Sequence, residues 1–191
     1  MHKYSIVAGL LKGARQLPSP NFTSRPPQCP IELLVIHNIS LPAGEFGGGY
    51  VQKFFQNHLD CSVHPTFVQL KALQVSAHLL ITREGEVIQF VNFNNRAWHA
   101  GVSSYKSRDN CNDFSIGIEL EGTDDCKFTA QQYQELAEVS VLLQQQYVQI
   151  NWHSTVGHSD IAPGRKTDPG RCFDWQKYRR MWSACSQVIN G

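Results

Sequence analysis

The sequence has 191 residues, of which 41% are hydrophobic and 17% are charged, and its formal net charge is +1. This length suits one domain with an ordinary core, and the small net charge excludes a broad attraction to nucleic acid or to an anionic membrane. No stretch approaches the roughly 18 consecutive apolar residues that span a bilayer. We therefore expect a single domain over residues 1–191, monomeric, with no nucleic-acid or membrane partner.

The N-terminal segment and the cysteines bear on the cellular compartment. An apolar run from Tyr4 to Leu11 resembles the apolar region of a secretory signal peptide, but Lys12 and Arg15 follow it closely and no A-x-A cleavage pattern appears. We expect a short amphipathic helix there. None of the six cysteines sits in a C-x-x-C pair, so we expect free thiols in a reducing cytosol and a cytoplasmic protein.

The first half of the chain predicts a strand, a short helix and a hairpin. The apolar run "IELLVIHN" (31–38) is typical of a buried strand, which places His37 at a strand end. The loop "LPAGEFGGGY" precedes a predicted helix over 51–58 and a long irregular connection. The segment "AHLLITREGEVIQFV" predicts two strands that turn at Glu84 and Gly85, since glycine accepts the positive φ of a tight turn.

The second half alternates strands with helices. A polar loop (93–113) leads to the strand "FSIGIELEG", which Gly122 ends, and Thr129 is the expected N-cap of the helix that follows. "STVGHSDI" predicts a short strand, and "FDWQKYRRMWSAC" predicts a closing helix capped by Asp174. The fold class expected from this order is α/β: a single domain with a central mixed β-sheet flanked by helices.

The stretch "GHSDIAPGRKTDPG" (157–170) contains two candidate metal ligands, His158 and Asp168. With His37 as a third, two neutral imidazoles and a carboxylate would suit one Zn²⁺ ion per chain and leave a fourth position for water. Pro169 restricts the backbone of Asp168, which helps a ligand. An Asp-Pro pair followed by glycine is equally a common way to begin a turn.

The sequence leaves more than one candidate residue for proton transfer and more than one for charge stabilisation. Strand alternation places Glu119 and Glu121 on one face, and either carboxylate could act as general base and then acid. Lys166 or its neighbour Arg165 could stabilise an oxyanion. In "AWHAG", His99 could equally belong to a substrate wall or to a hydrogen-bonded structural corner.

Six segments occur together in one order: "LLVIHNIS", "GEFGG", "VSAH", "RAWHAGVSS", "CNDFSIGIELEG" and "GHSDIAPGRKTDPG". From about Ala14 to Trp182, the chain thereby resembles the AmpD-type 1,6-anhydro-N-acetylmuramyl-L-alanine amidases. These are zinc amidases related to the peptidoglycan recognition proteins and to phage T7 lysozyme. The resemblance implies zinc-dependent hydrolysis of the amide bond between 1,6-anhydro-N-acetylmuramic acid and L-alanine, in the cytosolic recycling of bacterial cell-wall fragments.

The resemblance also implies roles for individual residues. It assigns the zinc ion to His37, His158 and Asp168. It makes Glu119, rather than Glu121, the catalytic acid and base, and it gives Lys166 a role in supporting the transition state. The remaining residues it places near an anhydro-muropeptide substrate are Tyr50, Asn38, Ala97, Trp98 and His99.

Two positions depart from the family pattern. Gln74 and Asn110 stand where the family often has basic residues that meet substrate, and Lys71 or Arg108 could compensate. Two other functions stay open at this point. One is an exported lytic amidase that acts on polymeric peptidoglycan, and the other is a muropeptide sensor without catalysis.

Overall fold

A computed structural model of the chain describes residues 3–190, with side chains up to residue 188. Its strands are β1 (Ser5–Val7), β2 (Leu10–Lys12), β3 (Arg15–Gln16), β4 (Phe22–Ser24), β5 (Leu33–Ile39), β6 (Leu79–Ile81), β7 (Val87–Gln89), β8 (Asn95–Ala97), β9 (Ser104–Tyr105), β10 (Arg108–Asp109), β11 (Ser115–Glu121) and β12 (Thr155–Gly157). Its α-helices are α1 (Tyr50–Phe55), α2 (Ala130–Gln146), α3 (His158–Ile161) and α4 (Trp175–Asn190). Short 3₁₀ helices cover Pro65–Leu70, Cys111–Asp113 and Trp152–Ser154.

A six-stranded mixed sheet forms the centre of the molecule, in the order β12, β5, β11, β6, β7, β3. The strands from β12 to β6 run parallel, whereas β7 is antiparallel to β6. The predicted hairpin is present, with a turn in which Gly85 takes a φ of 83° and its N–H donates to the carbonyl of Thr82. The expected α/β architecture with a central mixed sheet is thus confirmed.

Helices α2 and α4 cover one face of this sheet. Alternate residues of the central strands, such as Leu34 and Ile118, point into an apolar cluster with Leu136 of α2 and Trp182 of α4. The predicted cap of α2 is present, because the Thr129 hydroxyl accepts the N–H of the residue at N3. The other face of β5 and β11 carries the apolar Leu33 and Val35 and, toward the carboxyl ends of the strands, His37 and Glu119.

The N-terminal prediction of an amphipathic helix is wrong. The segment forms the antiparallel hairpin β1–β2, in which Ser5 pairs with Lys12. Ala8 and Gly9 form its turn with φ values of 50° and 78°, which a helix does not allow. Tyr4 and Leu11 are buried, so the apolar residues serve a sheet and not a helix face.

Two other segments also differ from the prediction. The strand expected over "STVGHSDI" ends at Gly157, and His158 begins the short helix α3. The expected polar loop 93–113 contains β8, β9, β10 and a 3₁₀ turn, and β8 pairs with β4. Pairing with the distant β4 orders β8, whereas β9 and β10 pair with each other as a local hairpin.

No disulfide bond joins any of the six cysteines. Within residues 3–190, no helix has the length and apolar character needed to cross a membrane.

Candidate metal centre

Three neighbouring parallel strands bring the site residues to one edge of the sheet. Glu119 on β11 pairs with His37 on β5, and Gly157 on β12 pairs with Ile36. His158, the next residue after Gly157, therefore lies beside His37. The carboxyl ends of parallel strands are the usual place for ligands in α/β sheets, because the chain leaves the sheet there into loops.

The three predicted metal ligands converge. His37 Nδ1 lies 3.0 Å from His158 Nδ1 and 2.9 Å from Asp168 Oδ2, and His158 Nδ1 lies 3.0 Å from the same oxygen. Both histidines are buried, and Asp168 is half-buried. Pro169 packs over Gly157, where a Cβ would lie 2.8 Å from the proline ring, and this contact holds Asp168 against the end of β12.

The chemistry of these donors fits a cation. His158 Nε2 donates to the carbonyl oxygen of Ala100 at 3.0 Å, so a neutral His158 has a lone pair on Nδ1. That lone pair and the Asp168 carboxylate repel each other at 3.0 Å unless a positive charge lies between them. Zinc binds histidine nitrogen and carboxylate oxygen at about 2.0–2.2 Å, and three atoms this close can share one such ion.

The protonation states of the donors favour metal binding as well. Burial lowers the pKa of His37 to about 4, so this imidazole is neutral near pH 7. Burial acts to raise the pKa of Asp168, but the electrostatic effect of the neighbouring His158 and His37 outweighs it and holds the pKa of this carboxyl below its usual range. A metal ion needs neutral imidazole and ionised carboxylate, and both are present at neutral pH.

The structure separates the two glutamates of β11. Glu121 is engaged at both oxygens, since Oε1 accepts the N–H of Gly47 at 2.7 Å and Oε2 accepts the N–H of Arg83 at 3.1 Å. Glu119 is buried, and its Oε2 has no hydrogen-bond partner among the described residues. Burial and the nearby charge of Asp168 raise the pKa of Glu119 well above its usual value. A carboxyl group in this state is suited to proton transfer, whereas Glu121 anchors two loops.

Lys166 and Arg165 point different ways, as expected from their adjacency. The Arg165 guanidinium donates to the carbonyls of Ala100 and Val102 at 2.7 and 2.6 Å. Lys166 is exposed, and its positive charge lowers the pKa of Glu119 against the larger effects that raise it. Of these two cations, Lys166 affects the pKa of Glu119, whereas the Arg165 guanidinium lies 3.5 Å from His158 Nε2.

Two of the residues predicted to contact substrate, His99 and Asn38, lie next to the candidate metal ligand His37. His99 Nδ1 lies 2.9 Å from His37 Nε2, on the side of the ring that faces away from Asp168. Asn38 follows His37 on β5, and its side-chain amide donates to Asp124 Oδ1 at 2.7 Å. Ala97 is buried in β8, and Trp98 is half-buried with its backbone bonded to Ser76. The "AWHAG" segment thus forms a wall beside the centre.

For two other predicted residues, Tyr50 and Arg108, the described contacts are with groups other than the three candidate metal ligands. Among the described residues, the ring contacts of Tyr50 are with Phe67 and Lys53 and include none of the donors. Arg108 donates to Glu32 Oε1 at 2.6 Å and covers the Phe114 ring, so its guanidinium is already engaged.

The positions that depart from the family pattern line two separate clefts. Gln74 and Lys71 line a cleft of about 230 Å³ together with Phe54. Asn110 lines a cavity of about 470 Å³ beside Arg165. The second cavity contains a basic group close to the candidate metal ligands, because the Arg165 guanidinium lies 3.5 Å from His158 Nε2.

Sequence reasoning missed the residues that support the centre. Asn112 Oδ1 accepts the N–H groups of both His99 and Ala100, and Ser115 Oγ lies 3.1 Å from His99 Nε2. Gly117 leaves room for the His99 ring, because a Cβ there would lie 2.4 Å from Nδ1. A glycine inside a strand often marks a position where another group approaches the backbone closely. Gly117 was therefore the one feature of the sequence that could have indicated this contact.

Comparison with known proteins places these features in a family context. The sequence profile described as N-acetylmuramoyl-L-alanine amidase matches residues 27–171. The chain is 54% identical over 178 residues to "1,6-anhydro-N-acetylmuramyl-L-alanine amidase AmpD" of Escherichia coli strain K12, covering 93% of this chain and 97% of that protein. It is 53% identical over 173 residues to the protein of that name in Haemophilus influenzae, covering 91% of this chain and 94% of that protein. The crystal structure of a selenomethionine AmpD derivative superimposes with a TM-score of 0.90 at 52% identity, covering 92% of this chain and 98% of that one.

Proposed function

This chain belongs to the N-acetylmuramoyl-L-alanine amidase family, and from that premise we propose that it hydrolyses the amide bond between 1,6-anhydro-N-acetylmuramic acid and L-alanine. The family resemblance expected from the sequence motifs is confirmed. The observation that carries the proposal is the meeting of His37, His158 and Asp168 beside a buried glutamate whose Oε2 is unpartnered. The substrate class follows from the activity for which the relatives are named, at 53–54% identity over almost the whole chain.

The metal of the proposed site is one zinc ion per chain, held by His37, His158 and Asp168. Two neutral imidazoles and one carboxylate form a ligand set typical of catalytic zinc sites. When bound, zinc supplies a Lewis acid that polarises a carbonyl oxygen and makes water more acidic. The convergence of the three donor atoms to within 3.0 Å of each other supports this assignment.

Glu119 moves the protons of the reaction. Its carboxylate takes a proton from the attacking water, and the resulting carboxylic acid passes a proton to the alanine nitrogen as the amide bond breaks. Its raised pKa allows both roles near neutral pH, because base and acid forms are then closer in energy. Lys166 places a positive charge near the negative oxygen that develops on the carbonyl. Water and amide give a free carboxyl group on the sugar and a free amino group on the peptide.

The proposed setting is the bacterial cytosol, where a monomer would act on muropeptide fragments during cell-wall recycling. Asn38, Ala97, Trp98 and His99 are proposed to line the sugar side of the substrate pocket. Tyr50 and Arg108 are proposed to reach substrate only if their present contacts, with Phe67 and with Glu32, are exchanged.

One assay on the purified chain tests this function. Hydrolysis of 1,6-anhydro-N-acetylmuramyl-tripeptide is measured before chelation, after chelation and after zinc is restored, in parallel with intact sacculi. We expect the activity to disappear with chelator and to return with zinc, and the soluble fragment to be the strongly preferred substrate. Equal rates on sacculi would support a lytic amidase instead. Binding without hydrolysis in the presence of zinc would identify a sensor.

A further inference from the structure

The two candidate metal ligands His37 and His158 each use Nε2 to contact another residue, and these two partner residues are consecutive in the chain. His37 Nε2 lies 2.9 Å from His99 Nδ1, and His158 Nε2 lies 3.0 Å from the carbonyl oxygen of Ala100. We propose that His99 and Ala100 act as a bracket that fixes the tautomer of both histidines, with Ser115 and Asn112 as the positioning residues that hold it. This inference rests on the metal centre of the proposed function and adds to it the groups that aim its donor atoms.

The direction of the hydrogen bonds along the His37 branch follows from a carbonyl at its far end. The oxygen of Cys111 can only accept, so the Ser115 hydroxyl donates to it at 2.5 Å. Because its only hydrogen is used in that bond, Ser115 Oγ accepts a hydrogen bond from Nε2 of His99 at 3.1 Å. A neutral His99 then has no hydrogen on Nδ1, which accepts the Nε2 hydrogen of His37. His37 Nδ1 is left with a lone pair that faces the centre.

The His158 branch reaches the same result through one carbonyl. Ala100 oxygen accepts from His158 Nε2 at 3.0 Å and from the Arg165 guanidinium at 2.7 Å, so both of its lone pairs are used. His158 therefore carries its hydrogen on Nε2 and turns a lone pair on Nδ1 toward Asp168. Both branches together aim two imidazole lone pairs and a carboxylate at one point.

Two features hold the bracket against β11. The buried Asn112 side chain accepts the N–H of His99 at 3.1 Å and the N–H of Ala100 at 2.8 Å through the same oxygen. Gly117 has no side chain, so the His99 ring lies directly on the strand between Ser115 and Glu119. A shift of this two-residue segment would therefore move the partners of both histidines together. In metal sites generally, such outer partners set ligand orientation and metal affinity.

The zinc affinity of the Ser115→Ala variant tests the bracket at a fully buried residue. Its matched control is Ser140→Ala, since Ser140 is also fully buried and its hydroxyl bonds to the Leu136 carbonyl and the Tyr178 hydroxyl, both at 2.6 Å. Dissociation constants are measured by competition with a chromophoric chelator. Loss of one hydrogen bond is expected to weaken zinc binding about 3- to 10-fold in Ser115→Ala. Ser140→Ala is expected to lower the melting temperature and leave zinc binding unchanged.

A second pair of variants separates the bracket from a substrate contact. Asparagine at 99 places an acceptor oxygen at the same distance along the side chain as Nδ1, whereas leucine has none. His99→Leu is expected to weaken zinc binding about 10- to 100-fold, and His99→Asn to recover most of that loss. If His99 only met substrate, both variants would bind zinc as the wild type does and would differ in KM, and the bracket would be overturned.

Spectroscopy of the zinc-loaded wild type gives a result that does not depend on any variant folding. Long-range ¹H–¹⁵N spectra of the imidazoles are expected to show the hydrogen of His99 on Nε2. A hydrogen on Nδ1 would contradict the bracket. If the wild-type chain binds no zinc, the proposed metal centre itself fails. Wild-type zinc binding with unchanged affinity in Ser115→Ala and His99→Leu would contradict the bracket alone.

Discussion

Glu119 and His37 lie directly opposite each other on the neighbouring parallel strands β11 and β5. Paired residues of adjacent strands point to the same face of a sheet, so the buried carboxyl group and the imidazole donor face the same space. Their separation is set by the backbone pairing of two central strands and not by a loop. Side chains held by paired backbone strands have a fixed relative geometry, which the proposed roles of Glu119 in proton transfer and of His37 as a metal ligand require.

The Glu119→Gln variant tests proton transfer. Glutamine keeps the shape of the side chain but cannot accept a proton from water, so turnover is expected to fall by at least about 100-fold. Zinc content is expected to stay at one ion per chain, because Glu119 is not among the three donors. Steady-state kinetics and metal analysis of the same preparation check both points.

The matched variant on the same strand is Glu121→Gln. One amide NH₂ would then face the N–H of Gly47 or Arg83, so a buried bond is lost and the variant is expected to be about 1–3 kcal/mol less stable. Its turnover under folding conditions is expected to remain well above that of Glu119→Gln. An inactive Glu121→Gln beside an active Glu119→Gln would reverse our assignment.

Lys166→Met tests the role of the exposed cation. Loss of its charge is expected to lower kcat by about 100- to 1,000-fold, on the scale of a single oxyanion-stabilising group. Lys166 also lowers the pKa of Glu119, so its removal raises that pKa further. The base form then requires a higher pH, and the acidic limb of the kcat/KM profile is expected to move upward. Lys12→Met, which removes one exposed positive charge from β2, is the control, and a shift of the limb in this variant but not in Lys166→Met would contradict the prediction.

The Gly117→Ala variant tests the packing of the His99 ring against β11. The new methyl group would lie 2.4 Å from His99 Nδ1, so the ring must move and zinc affinity is expected to fall about tenfold. The double-mutant cycle with His99→Ala supplies the control, because the methyl group then has no ring to displace. We expect Gly117→Ala to change zinc affinity little in that background. Equal losses in both backgrounds would show that the methyl group acts elsewhere.

The pH dependence of stability tests a buried histidine outside the centre. His78 accepts the N–H of Gly117 at Nδ1 and donates to the Asn95 carbonyl, and burial lowers its pKa to about 3. The unfolded chain takes up this proton below about pH 6.5, whereas the folded chain does not until about pH 3. The stability contributed by the neutral ring is therefore complete above pH 6.5 and is lost as the pH falls.

His78→Asn is the variant for this test, because asparagine keeps an acceptor for Gly117 but does not titrate. Urea unfolding at pH 7 and pH 5, with chelator present, is expected to show that the wild type loses about 2 kcal/mol more than the variant over this interval. Equal losses in the two proteins would mean that His78 is protonated in the folded state as readily as in the unfolded chain.

The sheet could be predicted because its signals are local, whereas the three candidate metal ligands were chosen on the resemblance of six segments to a known family. The apolar run before His37 and the cap at Thr129 indicate their elements directly, and the alternation in β11 places Glu119 and Glu121 on one face. The choice between the two glutamates is a different matter. It depends on which loops return to donate N–H groups, here those of Gly47 and Arg83, and no local pattern contains that information.

The hairpin β1–β2 shows why the N-terminal prediction was wrong. Eight residues without a charge fit a helix or two short strands equally well, and packing decides between them. Here Tyr4 reaches Glu135 on α2 through its hydroxyl at 2.6 Å, a contact 131 residues away in the chain. The bracket of His99 and Ala100 could not be predicted from the sequence for the same reason, since Asn112 and Ser115 approach it only after the loop folds over β11.

Anomalous diffraction from zinc-loaded crystals tests the central claim most directly. With data collected at the zinc absorption edge, we predict one strong peak per chain, about 2.0–2.2 Å from His37 Nδ1, His158 Nδ1 and Asp168 Oδ2. A peak held by any other set of side chains, or no peak among these three atoms at saturating zinc, would contradict it.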